Sequence, residues 1–426
     1  MTGDAAQVRT AAWSLAEQAI VSLGSFLLNI QLARALPASE YGVFALVFSC
    51  VLLFQQCGLA LLYFPMCQRI SAAGGGRDAR LVSITMTLFA AGNLVVSAAL
   101  AGLAVVVGRG DVALAAAAFS LFWQVQDALR RSLVAEARHG AAMIGNAVTY
   151  TGQSLAVALL VHKGTPALAD ALAWMAGASA AGGLVQLWHL GLPVPVFKGV
   201  PGLIRAYLLS GMWGMAGGLL INLRVQILPW TLGLLHGTAA TAAFQAALNI
   251  GNLTNPLLFA LCNTITLTGM NKRVQQGNRA AWTAARFYML VGAPFIIAYC
   301  AAVFAAPTLV LNLFYGPQST YLADALAVRV IMLSIVLNYL ADACSAFLYG
   351  LDGGRMTTGI AMLGLGSAAV AAVMVWPWAV VGAALAMLFA NMARLLACYR
   401  YVGSSLAAPT PLEPLNSDAQ SARSDA

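Results

Sequence analysis

Long apolar blocks, most of them about 20 residues or more, divide this chain, and short segments carrying most of its charge separate them. A membrane-spanning helix needs about 20 mainly apolar residues, because the hydrocarbon core is ~30 Å thick and each helical residue rises ~1.5 Å. About twelve blocks meet that requirement. The first six run from Ala12 to Leu32, Tyr41 to Phe64, Leu81 to Val107, Val112 to Leu129, Ala141 to Val161 and Ala167 to Leu190. The second six run from Tyr207 to Leu235, Ala239 to Met270, Phe287 to Leu313, Leu326 to Tyr349, Thr357 to Trp376 and Trp378 to Tyr399. Only Pro377 separates the last two, but one helix from Thr357 to Tyr399 would overrun a bilayer. Pro377, between two tryptophans, therefore predicts an interfacial turn.

Charge gives the pattern an orientation. With the N-terminus in the cytoplasm, Arg9, Arg69, Arg77, Arg80, Arg130, Arg131, Arg138, Lys198, Arg205, Lys272, Arg273, Arg279, Arg286, Arg355, Arg394, Arg400 and Arg423 fall on the inner side. Arg34, Arg109 and Lys163 fall outside, while Arg224 and Arg329 lie in helices. This asymmetry satisfies the positive-inside rule with both termini cytoplasmic. The net charge of +8 would suggest nucleic acid as a partner in a soluble protein. Here 61% hydrophobic residues and a mean hydropathy of +0.82 leave no solvated basic surface for one.

The segment from Gly191 to Arg205 holds three prolines and two basic residues, and it follows the sixth block. It predicts a linker, dividing the chain into a six-helix lobe at 1–190, a connection at 191–206, a second lobe at 207–403 and a disordered cytoplasmic tail at 404–426. The two halves have matching topology, as in parallel repeats that enclose a substrate site. The first block carries Glu17 and Gln18 and is too long for a signal-peptide core, so no cleaved leader is expected.

Several kinds of chemistry find no support. Seven cysteines lie in or beside apolar blocks without paired spacing, and the four histidines are scattered near block ends. No phosphate-binding G-x-x-x-x-G-K-[ST] sequence occurs, and no long hydrophilic loop is available for a catalytic domain. The expectation is a non-enzyme without cofactor or metal.

Polar side chains inside apolar blocks are costly and so become the site candidates. Arg224 lies in the seventh block, flanked in sequence by Asn222 and Gln226, and its depth calls for an aqueous cavity or an anionic partner. Its planar guanidinium suits a phosphate. Gln245, Asn249 and Asn252 form one helical stripe in the eighth block, either as interhelical glue or as a wall able to bond sugar hydroxyls. Glu17 and Asp342 are candidates for ion coupling or for fixed pairing; a backbone amide or Arg355 is a possible partner for Asp342. Arg34 lies ~25 Å from Glu17 along the first helix, too far for a pair. Asp127, near Arg130 and Arg131, reads as a surface ion pair. Gln55, Gln56, Gln153 and Asn338 complete the polar set, and Trp213 sits among closely spaced glycines.

The junction Gln31 to Leu46, QLARALPASEYGVFAL, resembles that of bacterial polysaccharide transporters through Ala33, Arg34, Leu36, Tyr41, Gly42 and Phe44, with Pro37 where those proteins often have Gly. The basic segment Gln124 to Arg138 is similar to the same family's connection, and Gly237 to Asn249 is a looser likeness of the first junction. The resemblance is to oligosaccharide-lipid flippases of the multidrug/oligosaccharidyl-lipid/polysaccharide exporter superfamily. It implies an all-α polytopic membrane protein with a V of two six-helix lobes, MATE-like, in the bacterial inner membrane. The implied cargo is an undecaprenyl-pyrophosphate-linked oligosaccharide for exopolysaccharide or O-antigen assembly, held by Arg224 and Arg34. H+ or Na+ is the implied coupling ion, membrane lipids its surroundings, and a polysaccharide polymerase and chain-length regulator its partners. A drug or metabolite antiporter of the superfamily should need acidic cavity residues for a cationic cargo. A glycan polymerase or ligase should need a substantial outer loop, whereas the longest here is about Phe314 to Ala325.

Overall fold

A computed structural model of the chain describes residues 2–72, 79–136, 138–164, 166–191, 200–352 and 355–407. Among these, all regular structure is helical. The first half comprises α1 (Thr2–Ala35), α2 (Ala38–Gly58), a π turn (Leu59–Tyr63), α3 (Phe64–Ala72), α4 (Ala79–Val106), α5 (Gly110–Ala135), α6 (His139–Lys163) and α7 (Leu168–Leu190). The second comprises α8 (Val200–His236), α9 (Thr238–Asn252), α10 (Asn255–Ala305), α11 (Pro307–Tyr315), a 3₁₀ turn (Thr320–Asp324), α12 (Ala325–Asp352), α13 (Arg355–Ala371), a second 3₁₀ turn (Ala372–Met374) and α14 (Val375–Ala407).

Nine helical stretches among the described residues are long and apolar enough to cross a membrane. Two of them double back. In α10 the chain breaks at Gly277, whose φ of 83° favours glycine, and Gly292 of the second arm meets the side chain of Leu261 in the first. The last stretch breaks at Ala379 (φ 43°), and there Gly364 of α13 meets Arg394 of α14. Counting both arms of each hairpin and the apolar part of α1, the described residues make the twelve passes that the sequence predicts. An even number of passes brings the start of α1 and the end of α14 to one face, called here the terminal face.

Core packing divides the molecule in the same way. Near the opposite face, a single apolar cluster joins both halves, with Leu32, Tyr41 and Phe44 beside Phe244, Ala246 and Val328. Toward the terminal face it gives way to two separate clusters. Tyr63, Met66, Phe89 and Leu133 lie in one, with Tyr207 at the start of α8, and Ile265, Phe347 and Cys398 lie in the other. A shared core at one end and divided cores at the other make a V of two lobes.

Several boundaries differ from the sequence prediction. Helix α5 continues to Ala135 and α14 to Ala407, so Arg130 and Arg131 lie within a helix, beyond the predicted end at Leu129, and Arg394 lies well before its helix ends. Helix α8 starts at Val200, inside the expected linker, and residues 192–199 and 408–426 lie outside the described residues. The eighth pass is interrupted at Leu253 and Thr254, where α9 hands over to α10. The last reversal falls at Ala379, two residues beyond Pro377.

Candidate functional site

Each lobe holds a polar centre, and the two centres differ in charge. In the first lobe, α5 presents Asp127 and Arg130 one helical turn apart, so both point to the same neighbours. Arg130 donates to Asp127 Oδ1 at 2.7 Å and to Glu17 Oε1 of α1 at 2.7 Å. Asp127 Oδ2 also accepts from Arg131 Nε at 2.7 Å and from Gln55 Nε2 of α2 at 2.7 Å. Asn146 of α6 donates to Glu17 Oε1 at 2.8 Å, and its own carbonyl accepts from Gln126 at 2.9 Å. Two carboxylates thus face two guanidinium groups, in a balanced network tying α1, α2, α5 and α6 together. Asp127 is only 8% exposed, which corrects its reading as a surface pair.

Among the described residues, the centre of the second lobe is not balanced. Asp342 of α12 accepts from Arg394 Nη2 of α14 at 2.6 Å and from Asn338 Nδ2 at 2.7 Å, while Arg394 Nη1 donates to Asn338 Oδ1 at 3.0 Å. Arg224 of α8 donates instead to a neutral group, Oδ1 of Asn391, at 2.5 Å. Asn391 is held in turn by Ser334, whose hydroxyl accepts from Nδ2 at 2.9 Å. A Cβ on Gly364 of α13 would lie 2.9 Å from Cγ and Cδ of Arg394 and 3.1 Å from Cδ of Arg224. Both arginine stems therefore flank one glycine, and the carboxylate beside them pairs with Arg394. The Asp342 side chain keeps 29% of its surface exposed, against 6% for Arg394, so the carboxylate lies on the open side of the pair.

The other predicted residues separate into two groups. Asn222 turns back onto its own helix, donating to the carbonyl of Gly218 at 3.0 Å, and Gln226 is buried. The stripe on α9 lies in the contact between the lobes: Gln245 donates to Asn249 at 3.0 Å, and Asn249 donates to the Tyr41 hydroxyl of α2 at 2.8 Å. Asn252 accepts from Asn255 across the interruption. Arg34, at the end of α1, donates through Nη2 to the carbonyl of Leu313 at 2.7 Å and through Nε to that of Phe314. It thus caps the C-terminal end of α11, where free carbonyls and the helix dipole favour a cation.

This contact between lobes explains the Tyr41-Gly42 pair of the first junction. A Cβ at Gly42 would lie 1.8 Å from the carbonyl oxygen of Thr238, so only glycine lets α2 and the start of α9 touch backbone to backbone. Next to it, Trp230 donates to Ser49 Oγ at 2.6 Å and the Tyr315 hydroxyl to the carbonyl of Ala246 at 2.9 Å.

Sequence reasoning missed Arg394, Asn391, Ser334 and Gly364. One signal was available: Asn391 and Arg394 are three apart in the last apolar block and so share a helix face, but counting Arg394 only among the charges that orient the chain concealed it. Among the described residues, no group of three or more His, Cys, Asp or Glu side chains could hold a metal ion.

No family description matches the chain, and no curated protein matches it. Solved structures do. The fold is similar to a multidrug resistance MATE family transporter of the MOP superfamily in its inward-facing conformation, with a TM-score of 0.71 at 16% identity over 92% of this chain and 96% of that one. The outward-facing conformation of such a transporter gives 0.62 at 13% identity, over 94% and 96%. A MOP superfamily transporter from Pyrococcus furiosus, whose reversed binding-pocket polarity suggests a different function, gives 0.67 at 14% identity over 94% and 95%. The chain is an all-α, multi-pass membrane protein with the MATE fold.

Proposed function

We propose that this protein is a flippase that moves an undecaprenyl-pyrophosphate-linked oligosaccharide repeat across the bacterial inner membrane by alternating access. One observation carries the reading: the first lobe balances its buried charges, whereas the second keeps a guanidinium, Arg224, opposite a neutral amide. An uncompensated cation at membrane depth is costly, and a bound anion relieves that cost. A pyrophosphate offers oxygens at the spacing of a guanidinium's donors, and the isoprenoid can remain in lipid while the headgroup crosses.

Asn222 and Gln226 flank the cation in sequence. The amides of Gln245, Asn249 and Asn252 are assigned to the sugar when the lobes part, and Arg34 to closure of the face opposite the termini. With the termini cytoplasmic, the present conformation opens inward, in keeping with the higher similarity to the inward-facing neighbour. Of the two acids, Asp342 is the better placed to exchange a proton or ion, because Glu17 is buried against Arg130.

A drug antiporter is the second reading, supported by the fold of the multidrug neighbours. A cationic drug would meet an excess positive charge in the second lobe, which favours the anionic cargo. The Pyrococcus furiosus neighbour supports the idea that this fold accommodates a change of pocket polarity. Deleting the gene and analysing lipid-linked intermediates tests the assignment. Undecaprenyl-linked repeats should accumulate on the cytoplasmic side; if none do, the flippase reading is wrong.

A further inference from the structure

Asp342 presents an oxyanion to the buried guanidinium of Arg394. It is acidic and partly open, and two hydrogen bonds hold it: one from a buried guanidinium and one from an amide. The stem of the second guanidinium, Arg224, lies against the same glycine as that of Arg394. Among the described residues, Arg394 of α14 donates to this carboxylate, and Arg224 of α8 and the thiols of Cys262 on α10 and Cys398 on α14 interact with it electrostatically.

Three charges in so small a space cannot be rearranged independently. If an oxyanion binds to Arg224 alone, it lies beside an ionised Asp342, and the two repel. If it takes Arg394 as well, Asp342 loses its counter-ion and faces a like charge at membrane depth. In either case the ionised carboxylate is disfavoured while the anion is bound, and a proton removes the conflict.

We infer that Asp342 and the cargo's phosphate compete for Arg394, so that capture of the anion by the Arg224 and Arg394 pair is accompanied by uptake of one proton on Asp342. The inference rests on the anion site proposed above. The exchange is balanced: one aqueous proton forms an O–H bond on the carboxyl, and the hydrogen bond from Arg394 Nη2 passes from the carboxylate to the anion. Asn338 remains bonded to both Asp342 and Arg394 throughout, holding each in place. Release of the anion on the other side also releases the proton, so the two cross together through one residue and a higher proton concentration on the release side opposes the step. The sign follows from the linkage: binding is strongest where the proton is readily supplied and weakens as pH rises.

The test uses the full chain in detergent and methanedisulfonate, a fully ionised dianion shaped like a pyrophosphate that does not itself titrate. Isothermal titration in buffers of different ionisation enthalpy, from about pH 5 to 8, reads both affinity and protons. Unmodified protein should take up close to one proton per anion, with Kd rising by up to about tenfold per pH unit over part of that range. Asp342→Asn should bind more tightly, without pH dependence or buffer-dependent heat. Arg224→Ala should weaken binding about tenfold or more in either background. Binding without proton uptake, together with unchanged affinity in Asp342→Asn, overturns the role of Asp342 and leaves the anion site standing. If neither protein binds, or if Arg224→Ala binds normally, the anion site itself is wrong. Should Asp342→Asn fail to fold, the buffer comparison on unmodified protein decides alone.

Discussion

Arg224 and Arg394 rest their aliphatic stems on the same glycine, Gly364, although they come from helices α8 and α14, 170 positions apart in the chain. The absence of a side chain at that position lets both guanidinium groups occupy one small region of the second lobe. A Cβ there would fall 2.9 Å from Arg394 Cγ, so the arginine must move.

Gly364→Ala therefore separates stability from function. Alanine is the better helix former by about 0.5–1 kcal/mol, and a flexible side chain can yield to it. The thermal midpoint should hold or rise while export falls. Gly92→Ala is the control, because nothing lies within 4 Å of its Cβ position; it should leave export intact. A Gly364→Ala protein with normal export would argue against convergence of the two arginines.

The two centres should respond differently to loss of charge. Arg130→Ala leaves Glu17 without its guanidinium and Asp127 with one ion-pair partner, and breaking such a buried pair costs about 3–5 kcal/mol. Arg224→Ala removes a cation whose hydrogen-bond partner is neutral, so its cost in stability should be far smaller. Thermal unfolding of the two purified variants checks the order. Equal destabilisation would mean that the second-lobe cation is as fully compensated as the first.

Tyr41 accepts from Asn249 of the other lobe and donates to Asn29 of its own. Tyr41→Phe leaves Asn249 short of its partner across the lobes, at a cost of about 1–3 kcal/mol to the conformation in which α2 and α9 meet. A cost of that size shifts a two-state equilibrium by about fivefold to 150-fold. Spin labels at Ser39 and Ala239, in a cysteine-free background, should report a longer distance population in Tyr41→Phe, and Arg34→Ala should act in the same direction. An unchanged distance distribution in both variants would mean that these two contacts do not hold the lobes together at this face.

The passes were legible in the sequence because apolar length is a local property. Partners were not. Asp342 could be recognised as an unusual acid, but its counter-ion, Arg394, comes 52 positions later in another helix, where it reads as one of the charges that orient the chain. Asp127 and Arg130 could be recognised as neighbours, yet their burial depends on Glu17 arriving from α1 and Gln55 from α2. The amide stripe of α9 was visible as a periodicity, whereas its use was not, since Tyr41 lies 208 positions away. Gly42 stood out only through the likeness of its junction, and the close approach of Thr238 gives the physical reason.

The central claim is that the unbalanced cation of the second lobe carries an anionic headgroup across the membrane. The most direct measurement is translocation of a polyprenyl-pyrophosphate-linked glycan in proteoliposomes made with the purified protein, read by accessibility of the glycan to an externally added enzyme. Translocation should depend on the protein, fall to background with Arg224→Ala and recover in part with Arg224→Lys. Translocation by Arg224→Ala at the unmodified rate would contradict the claim.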